Sequence, residues 1–167
     1  MGVYGRGYGT RWHSLSYTVA LESIRDNYAE MEPIYRMHYE AMRGRLAASG
    51  VNLSEYHPRR DQYEAANKDG WLLHFVLRSA GKAVGYSNIY VTNDMHNGDL
   101  IAQEDTIYVV PDHRNGSGRI LARFVHRELK ERGVKRLNVT TATDLRVSKW
   151  LERQGYKHTA HCMTLVF

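Results

Sequence analysis

Apolar and polar residues recur along the chain with two periods, one of two residues and one of three to four. The first period is typical of strands and the second of helices. Strands are predicted at residues 16–21, 71–77, 83–91, 100–110, 134–141 and 162–167. Helices are predicted at residues 22–31, 33–47, 61–67, 116–132 and 144–154. This order predicts an α/β fold, with a mixed sheet of about six to seven strands and helices on both faces.

Two local signals set boundaries within this pattern. Pro33 lies inside the first long helical stretch, where its missing N–H either starts a second helix or kinks the first, and two helices are predicted. Residues 79–82 (SAGK) separate two strand-like runs and predict a hairpin turn.

The first thirteen residues differ from the rest. Residues 1–13 are rich in Gly and Tyr without an apolar period, so a flexible arm is expected, and residues 14–167 are expected to form a single domain. No apolar run predicts a membrane span or a signal peptide. The single cysteine, Cys162, fits a reducing compartment. We therefore expect a cytoplasmic protein.

The formal net charge of +5 limits the classes of partner that suit the protein. A basic balance suits an anionic cofactor or an acidic partner. Nucleic acid binding is not favoured because Lys and Arg are spread over both halves, although the Tyr and Arg residues of the arm could stack on bases. No CxxC or HExxH pattern occurs and the nine His are scattered, so no metal site is expected.

Residues 105–118 (DTIYVVPDHRNGSG) carry the strongest chemical signal. A strand-like run ends at Pro111, which has no N–H to donate to a ladder. Gly116 and Gly118 allow a ligand to approach the backbone, and helical spacing begins at Ile120. Because the start of a helix offers unpaired N–H groups and a positive dipole end, this segment predicts an anion site suited to a phosphate or pyrophosphate.

The segment matches neither GxxxxGK followed by Ser or Thr nor GxGxxG. It resembles motif A of the GNAT superfamily of acyl-CoA-dependent N-acetyltransferases, through 109–111 (VVP), Arg114, Gly116 and Gly118. With Gly118 in the last position, His113 lies where the motif has Gln or Arg. Alternatively, Arg114 is the motif arginine and the loop is one residue shorter.

Residues 144–156 resemble motif B of the same superfamily, most clearly in 150–156 (WLERQGY). The predicted order of elements is also similar to the GNAT layout. The loop before the fourth strand and the ERQGY sequence are similar to small GNAT proteins encoded by phages, which would place the protein in a host cytoplasm. The resemblance covers residues 71–167 well and the first half only in layout.

The resemblance implies acetyl-CoA as the donor, bound where the fourth and fifth strands separate. The pantetheine arm would lie along the fourth strand, and a backbone N–H near Val109 would polarise the thioester carbonyl. The pyrophosphate would meet the N–H groups from Arg114 to Arg119 and the side chains of both arginines, while Lys149 would meet the adenosine phosphates. The implied cofactor-binding residues are Val109, Val110, Arg114, Asn115, Gly116, Ser117, Gly118, Arg119 and Lys149.

The base that deprotonates the amine is expected on the fourth strand, where the superfamily often has a carboxylate. Asp105 is the leading candidate and Glu104 the second, while each could instead cap a loop or pair with an arginine. Alternation predicts Asp105 on the face of Gln103 and Ile107, with Glu104, Thr106 and Tyr108 on the other face. His96, in the loop before this strand, is a third candidate.

The acid that protonates the leaving thiolate is less clear, because Leu151 occupies the position of the family's usual tyrosine. Either the thiolate leaves unassisted or another side chain substitutes. The candidates for that substitution are Tyr108, Tyr156, Ser148 and Cys162.

The acceptor pocket is expected under the helices that follow the first strand, with His38, Tyr39 and His96 as candidate lining residues. The predicted function is N-acetyl transfer from acetyl-CoA to a primary amine, either of a small molecule or of a protein, including a host protein. The alternative is a CoA-binding module on the same fold that acts through a partner protein. A homodimer is compatible with the sequence.

Overall fold

The computed structural model describes residues 17–141 and 145–165. Its strands are β1 (Tyr17–Leu21), β2 (Leu72–Ser79), β3 (Lys82–Asn93), β4 (Leu100–Val109) and β5 (Arg136–Asn138). Its helices are α1 (Ile24–Ala47), α2 (Arg60–Lys68), α3 (Ser117–Glu131) and α4 (Leu145–Arg153), with a 3-10 turn at Pro111–His113. The strands form one sheet in the order β1-β2-β3-β4-β5. The first three pairs are antiparallel and β4 pairs parallel with β5, so the predicted mixed α/β sheet is confirmed.

The predicted number of six to seven strands is wrong, since the sheet has five. The strand expected at 134–141 is reduced to Arg136–Asn138, and the part of the last predicted strand that the structure describes, 162–165, forms no strand. Met163 and Leu165 in that segment are 93% and 76% exposed, because no sheet edge covers them. Residues 166–167 and the predicted arm at 1–13 lie outside the described residues.

Helix α1 is continuous across Pro33, so the prediction of two helices is wrong. A proline inside a helix removes one hydrogen bond and costs about 3 kcal/mol. Met31 and Ile34, on either side of Pro33, are buried against Val76 and Tyr86 of the sheet. This packing holds both halves of the helix on the same surface and offsets the cost. No helix in the described part of the chain has the length and apolar character needed to cross a membrane.

The two faces of the sheet bury separate cores. Helix α3 packs Leu121, Val125 and Leu129 on one face, and α1 packs on the other. The predicted hairpin joins β2 to β3 through Ala80 and Gly81, which have positive φ angles of 49° and 80° as a tight two-residue turn requires.

Two features of β4 position the site. A Cβ at Gly85 of β3 would lie 2.6 Å from the carbonyl oxygen of Tyr108, so the absence of a side chain there lets the two strands approach closely. On its other side, β4 pairs with β5 only from Ile101 to Gln103. The rest of that edge, residues 104–109, has no partner strand among the described residues.

Candidate active site

A bulge in β4 decides where its two carboxylates lie. Asn88 of β3 is opposite Thr106 and Ile89 is opposite Glu104, so Asp105 is an extra residue in the ladder. As a result, Asp105 and Thr106 both line a cavity on the α1 face, whereas Glu104 shares the α3 face with Ile89. The predicted alternation, which grouped Glu104 with Thr106, is wrong because a regular period cannot continue through a bulge.

The cavity on the α1 face has a volume of about 600 Å³. It lies between α1, the segment 54–59, α2, and strands β3 and β4. Its walls are aromatic, and seven of the chain's twelve tyrosines line it. These are Tyr28, Tyr35, Tyr39, Tyr56, Tyr63, Tyr86 and Tyr90. Its carboxylates are Asp105 and Glu55.

Asp105 is held by neighbours on both flanking elements. The Tyr63 hydroxyl donates to Asp105 Oδ2 at 3.3 Å, and the Asn88 amide also bonds the carboxylate. Desolvation by the surrounding protein raises the pKa of Asp105, while the bonds from Tyr63 and Asn88 oppose the rise. Asp105 is nonetheless exposed to solvent and belongs to the lining of the cavity. It is therefore placed to exchange a proton with a molecule inside.

Two hydroxyl groups in this cavity are buried without a hydrogen bond of standard geometry to any described residue, those of Tyr56 and Thr106. The Tyr56 hydroxyl lies near Tyr28 and the Thr106 hydroxyl near Tyr86. Buried polar atoms of this kind are costly unless a ligand or water bonds them.

Glu104 has a different environment on the opposite face. Burial raises its pKa to about 7, and the charge of Asp105 adds to the rise, while the backbone N–H of Thr140 opposes it. Tyr156 lies near enough for Glu104 to influence it, and burial raises the pKa of Tyr156 to about 12. The Tyr156 hydroxyl is 2.6 Å from His126 Nε2. Glu104 is thus separated from the aromatic cavity by the sheet.

Of the three residues expected in the acceptor pocket, His38 and Tyr39 line the cavity and His96 does not. The His38 ring stacks on Tyr108 at 4.9 Å between centroids, and its Nδ1 is 2.8 Å from the Tyr86 hydroxyl. Burial lowers the pKa of His38 to about 4, with Arg45 and Arg114 adding to the effect, so this ring is neutral near pH 7.

The remaining predicted acceptor residues have simple roles in the structure. The Tyr39 hydroxyl donates to the carbonyl oxygen of Ser54 at 2.7 Å and ties α1 to the segment that closes the cavity. His96 is exposed in the loop before β4, where its backbone N–H donates to Asp94 at 2.9 Å.

The unpaired edge of β4 presents backbone groups at Val109. Val110 donates its N–H to Val84 of β3 at 2.9 Å. Because successive residues of a strand direct their backbone groups to opposite sides, the N–H and C=O of Val109 face away from β3. Arg114 Nε donates to the Val109 carbonyl at 2.8 Å, and the guanidinium lies 5.2 Å from the Tyr108 ring centroid.

The loop after β4 ends in the left-handed region at Gly116, whose φ of 102° favours glycine, and α3 begins at Ser117. The N–H groups of Asn115, Gly116, Ser117 and Gly118 donate to no acceptor within residues 17–141 and 145–165. These unbonded donors at the positive end of a helix fit the pyrophosphate of a CoA molecule.

The side chains around that loop include a tyrosine of β1 and two of the predicted cations. The Tyr17 hydroxyl bonds His113 Nδ1 and Asn115 Oδ1, each at 3.1 Å, and so ties β1 to the loop. Arg119 and, on α4, Lys149 are exposed.

A second cavity, of about 830 Å³, lies between β5, α3, α4 and residues 154–162. Leu151 and three of the candidate acids, Ser148, Tyr156 and Cys162, line it, but Asp105 does not. The fourth, Tyr108, is buried against His38. The larger cavity adjoins β4 at Gln103 and also includes Thr140, whose backbone N–H bonds Glu104. In the described ranges, no group of three or more His, Cys, Asp or Glu side chains could hold a metal ion.

Three residues around Asp105 are missing from the sequence predictions: Tyr63, Asn88 and Thr106. The sequence does contain a signal for the β3 wall of the cavity, because Tyr86, Asn88 and Tyr90 recur with a period of two on β3. Three such residues on one face of a strand indicate a polar aromatic surface. Tyr63 gives no comparable signal, since its approach to Asp105 depends on how α2 packs.

Comparisons with known proteins bear on the family and the fold of the chain. A family model described as the acetyltransferase (GNAT) family matches residues 28–156. A comparison with curated protein sequences gives no match.

Three solved structures illustrate the likeness of fold. Ribosomal-protein-alanine N-acetyltransferase from Brucella melitensis biovar Abortus 2308 is 21% identical, with a TM-score of 0.64 over 90% of this chain and 99% of that chain. A GCN5-related N-acetyltransferase from Ralstonia eutropha JMP134 is 19% identical, with a TM-score of 0.69 over 90% and 99%. A protein from Bacillus halodurans is 14% identical, with a TM-score of 0.75 over 90% and 99%.

These neighbours give no support to the resemblance to phage-encoded proteins. They share the fold, and the family model covers most of the chain, including β4, the glycine loop and α4. The chain therefore belongs to the GNAT family of acetyltransferases.

Proposed function

We propose that this protein transfers an acetyl group from acetyl-CoA to the primary amine of a small molecule, with Asp105 as the general base. The observation that carries the proposal is the bulge in β4. It directs Asp105 into the aromatic cavity, while the edge of the same strand that faces away from β3 stays unpaired. An amine and a thioester could thus approach the same strand from two sides.

The residues of the β4 edge and the glycine loop fit the donor. The free N–H of Val109 is a candidate donor to the thioester oxygen as negative charge develops there. The unbonded N–H groups from Asn115 to Gly118 would hold the pyrophosphate, with Arg119 and Lys149 as exposed cations nearby. Acetyl-CoA supplies the activated acyl group, and the protein supplies orientation and charge.

Asp105 would take a proton from the bound ammonium, because only the neutral amine has a lone pair for attack. Its raised pKa makes it a better proton acceptor than an ordinary aspartate. The amine nitrogen then bonds to the carbonyl carbon, and the carbon–sulfur bond breaks with its electron pair on the departing thiolate. The second proton of the nitrogen passes to water, which leaves a neutral amide.

No side chain of the cavity is assigned to protonate the thiolate. Leu151 has no proton to give, and Ser148, Tyr156 and Cys162 line the other cavity. We therefore propose that the thiolate leaves unassisted, which the acidity of a CoA thiol permits. A module that only binds a partner is not favoured, since such a role gives no reason for a carboxylate with a raised pKa inside a ligand-sized cavity.

The test is release of free CoA thiol from acetyl-CoA in the presence of a panel of primary amines. We expect turnover by the native protein, with kcat at least about 100-fold lower for Asp105→Asn. Asp69→Asn, an exposed aspartate at the end of α2, is the control and should retain activity. Binding of acetyl-CoA without CoA release in the presence of any amine would contradict the proposal. Turnover that Asp105→Asn leaves unchanged would contradict the role of Asp105.

A further inference from the structure

We infer that the acceptor is a small primary amine with a single positive charge and an aromatic ring, of the arylalkylamine class. This inference rests on the proposed acetyl transfer and specifies its substrate. It is drawn from the walls, the charges and the size of the cavity on the α1 face.

The walls select a flat apolar body. Three of the lining tyrosines, Tyr63, Tyr86 and Tyr90, lie close to Asp105, and burial together with its charge raises their pKa values and so keeps the phenols neutral. Aromatic rings attract both a cation, through the ring face, and another ring, through offset or edge contacts. An ammonium beside Asp105 with a ring extending among the tyrosines satisfies both preferences.

The charges argue against a polycation. Among the described residues, the carboxylates of the lining are Asp105 and Glu55, and Glu55 belongs to the segment 54–59 rather than to β4. An aminoglycoside or a polyamine needs several carboxylates to replace the water around its ammonium groups. The cavity offers one carboxylate beside β4, which matches one ammonium group.

The cations of the lining argue against a phosphate or carboxylate on the acceptor. Arg60 is bonded to Glu64 at 2.5 Å and lies 4.2 Å from the Tyr28 ring centroid. Arg59 is paired with Asp61 at 3.4 Å. His38 is neutral because burial lowers its pKa to about 4. A sugar phosphate or an amino acid would have to compete with these pairs for a cation.

The size of the cavity completes the fit to an arylalkylamine. A volume of about 600 Å³ lies within the range of small-molecule sites and exceeds what one ring with a short alkyl chain fills. Thr106, next in sequence to Asp105, is part of the lining, and its hydroxyl lies near Tyr86. A substituted or bicyclic ring therefore fits the cavity as well as a single ring.

The experiment compares phenethylamine and tryptamine with hexylamine, spermidine, glucosamine 6-phosphate and a peptide that begins with alanine. CoA release at a fixed acetyl-CoA concentration gives kcat/KM for each acceptor, and calorimetry with phenethylamine gives its Kd. We expect kcat/KM for the two arylalkylamines to exceed that of hexylamine at least about tenfold, since aromatic and cation–π contacts are each worth a few-fold or more.

Variants assign the preference to the cavity. Tyr63→Leu and Tyr90→Leu should each raise the KM and Kd for phenethylamine roughly three- to thirtyfold. Tyr63→Phe keeps the ring but loses the bond to Asp105, and it should raise the Kd less than Tyr63→Leu does. Trp71→Leu is the matched control, because Trp71 is 62% exposed and does not line the cavity. Circular dichroism identifies any variant that fails to fold. If one leucine variant fails to fold, the Kd of the other tests whether the cavity binds phenethylamine.

The outcomes separate this inference from the proposed function. Turnover of spermidine, the sugar phosphate or the peptide in preference to the arylalkylamines would overturn the acceptor class and leave acetyl transfer intact. Saturable phenethylamine binding that Tyr63→Leu weakens, without turnover of any amine, would support the acceptor class and contradict catalysis. Absence of both binding and turnover of phenethylamine would overturn the inference.

Discussion

Arg114 and Val109 are joined by a hydrogen bond of 2.8 Å from the guanidinium Nε to the backbone carbonyl oxygen. The bond lies on the edge of β4 that has no partner strand in the described part of the chain. The Arg114 side chain therefore bonds a backbone group that an extended ligand lying along the edge could bond instead. Arg114 itself belongs to the loop that offers the unbonded N–H groups.

This hydrogen bond predicts that loss of Arg114 has different effects on binding of the pyrophosphate part and of the pantetheine part of CoA. Arg114→Ala should weaken CoA binding about tenfold, because a charge-assisted contact to the pyrophosphate is lost. It should leave pantetheine binding unchanged or tighter, because the Val109 carbonyl is freed. Calorimetry with both ligands measures the difference. An equal loss of affinity for CoA and pantetheine would mean that Arg114 only supports the end of the strand.

Asp105 should control the acid side of the pH–rate profile. Since desolvation raises its pKa, the carboxyl group becomes protonated at a higher pH than an ordinary aspartate, and a protonated base accepts no proton from the amine. We expect kcat/KM to fall as pH decreases, with the fall beginning at a higher pH than an ordinary aspartate would set. Asp105→Asn should remove this limb as well as most of the activity. A limb that persists in the variant belongs to another group.

Glu104 should make the protein less stable as pH rises. Its pKa is about 7 in the folded protein against 4.5 ordinarily, so the folded state holds the proton that the unfolded state has already lost. The contribution of protonated Glu104 to the free energy of unfolding is complete below pH 4.5 and disappears as pH rises through 7. Relative to the native protein, Glu104→Gln should gain about 1–3 kcal/mol in unfolding free energy between pH 5 and pH 8.

Urea unfolding at several pH values measures this difference, because the variant shares every other titrating group. Glu131→Gln, an exposed residue near the end of α3, is the control and should follow the native curve within about 0.5 kcal/mol. A Glu104→Gln curve parallel to the native one would show that Glu104 ionises equally in both states.

Gly85 and Gly44 make a matched pair for backbone packing. A Cβ at Gly85 would lie 2.6 Å from the Tyr108 carbonyl oxygen, while one at Gly44, inside α1, would meet nothing within 4 Å. Gly85→Ala should lose about 1–3 kcal/mol because β3 and β4 must shift. Gly44→Ala should gain about 0.5–1 kcal/mol from helix propensity. Denaturant unfolding checks both, and a neutral Gly85→Ala would show that the strands separate freely.

Much of the fold could be predicted because local signals agreed with packing. The hairpin at Ala80 and Gly81, the strand before Pro111 and the helix after Gly116 each carry a turn residue or a period that no tertiary contact overrides. Pro33 shows the opposite case. Its local signal favours a helix boundary, but the burial of Met31 and Ile34 on one surface outweighs it.

The candidate site was less predictable, since it depends on pairing between strands. The bulge that separates Glu104 from Asp105 follows from the register of β3 against β4, which the sequence of β4 alone does not reveal. The contact from Tyr63 depends on the position of α2. The carboxylates and the glycine loop could be identified by residue type, but the face that each carboxylate occupies could not.

The concentration of seven tyrosines in one cavity also gives the protein an optical property. Phenol rings fixed in an asymmetric surrounding absorb left- and right-handed polarised light unequally, and a guest molecule among them changes that difference. Because Trp71 and Trp150, the tryptophans within the described ranges, do not line the cavity, their indole signals should stay constant while the phenol bands respond. Near-ultraviolet spectra can therefore follow acceptor occupancy without any label.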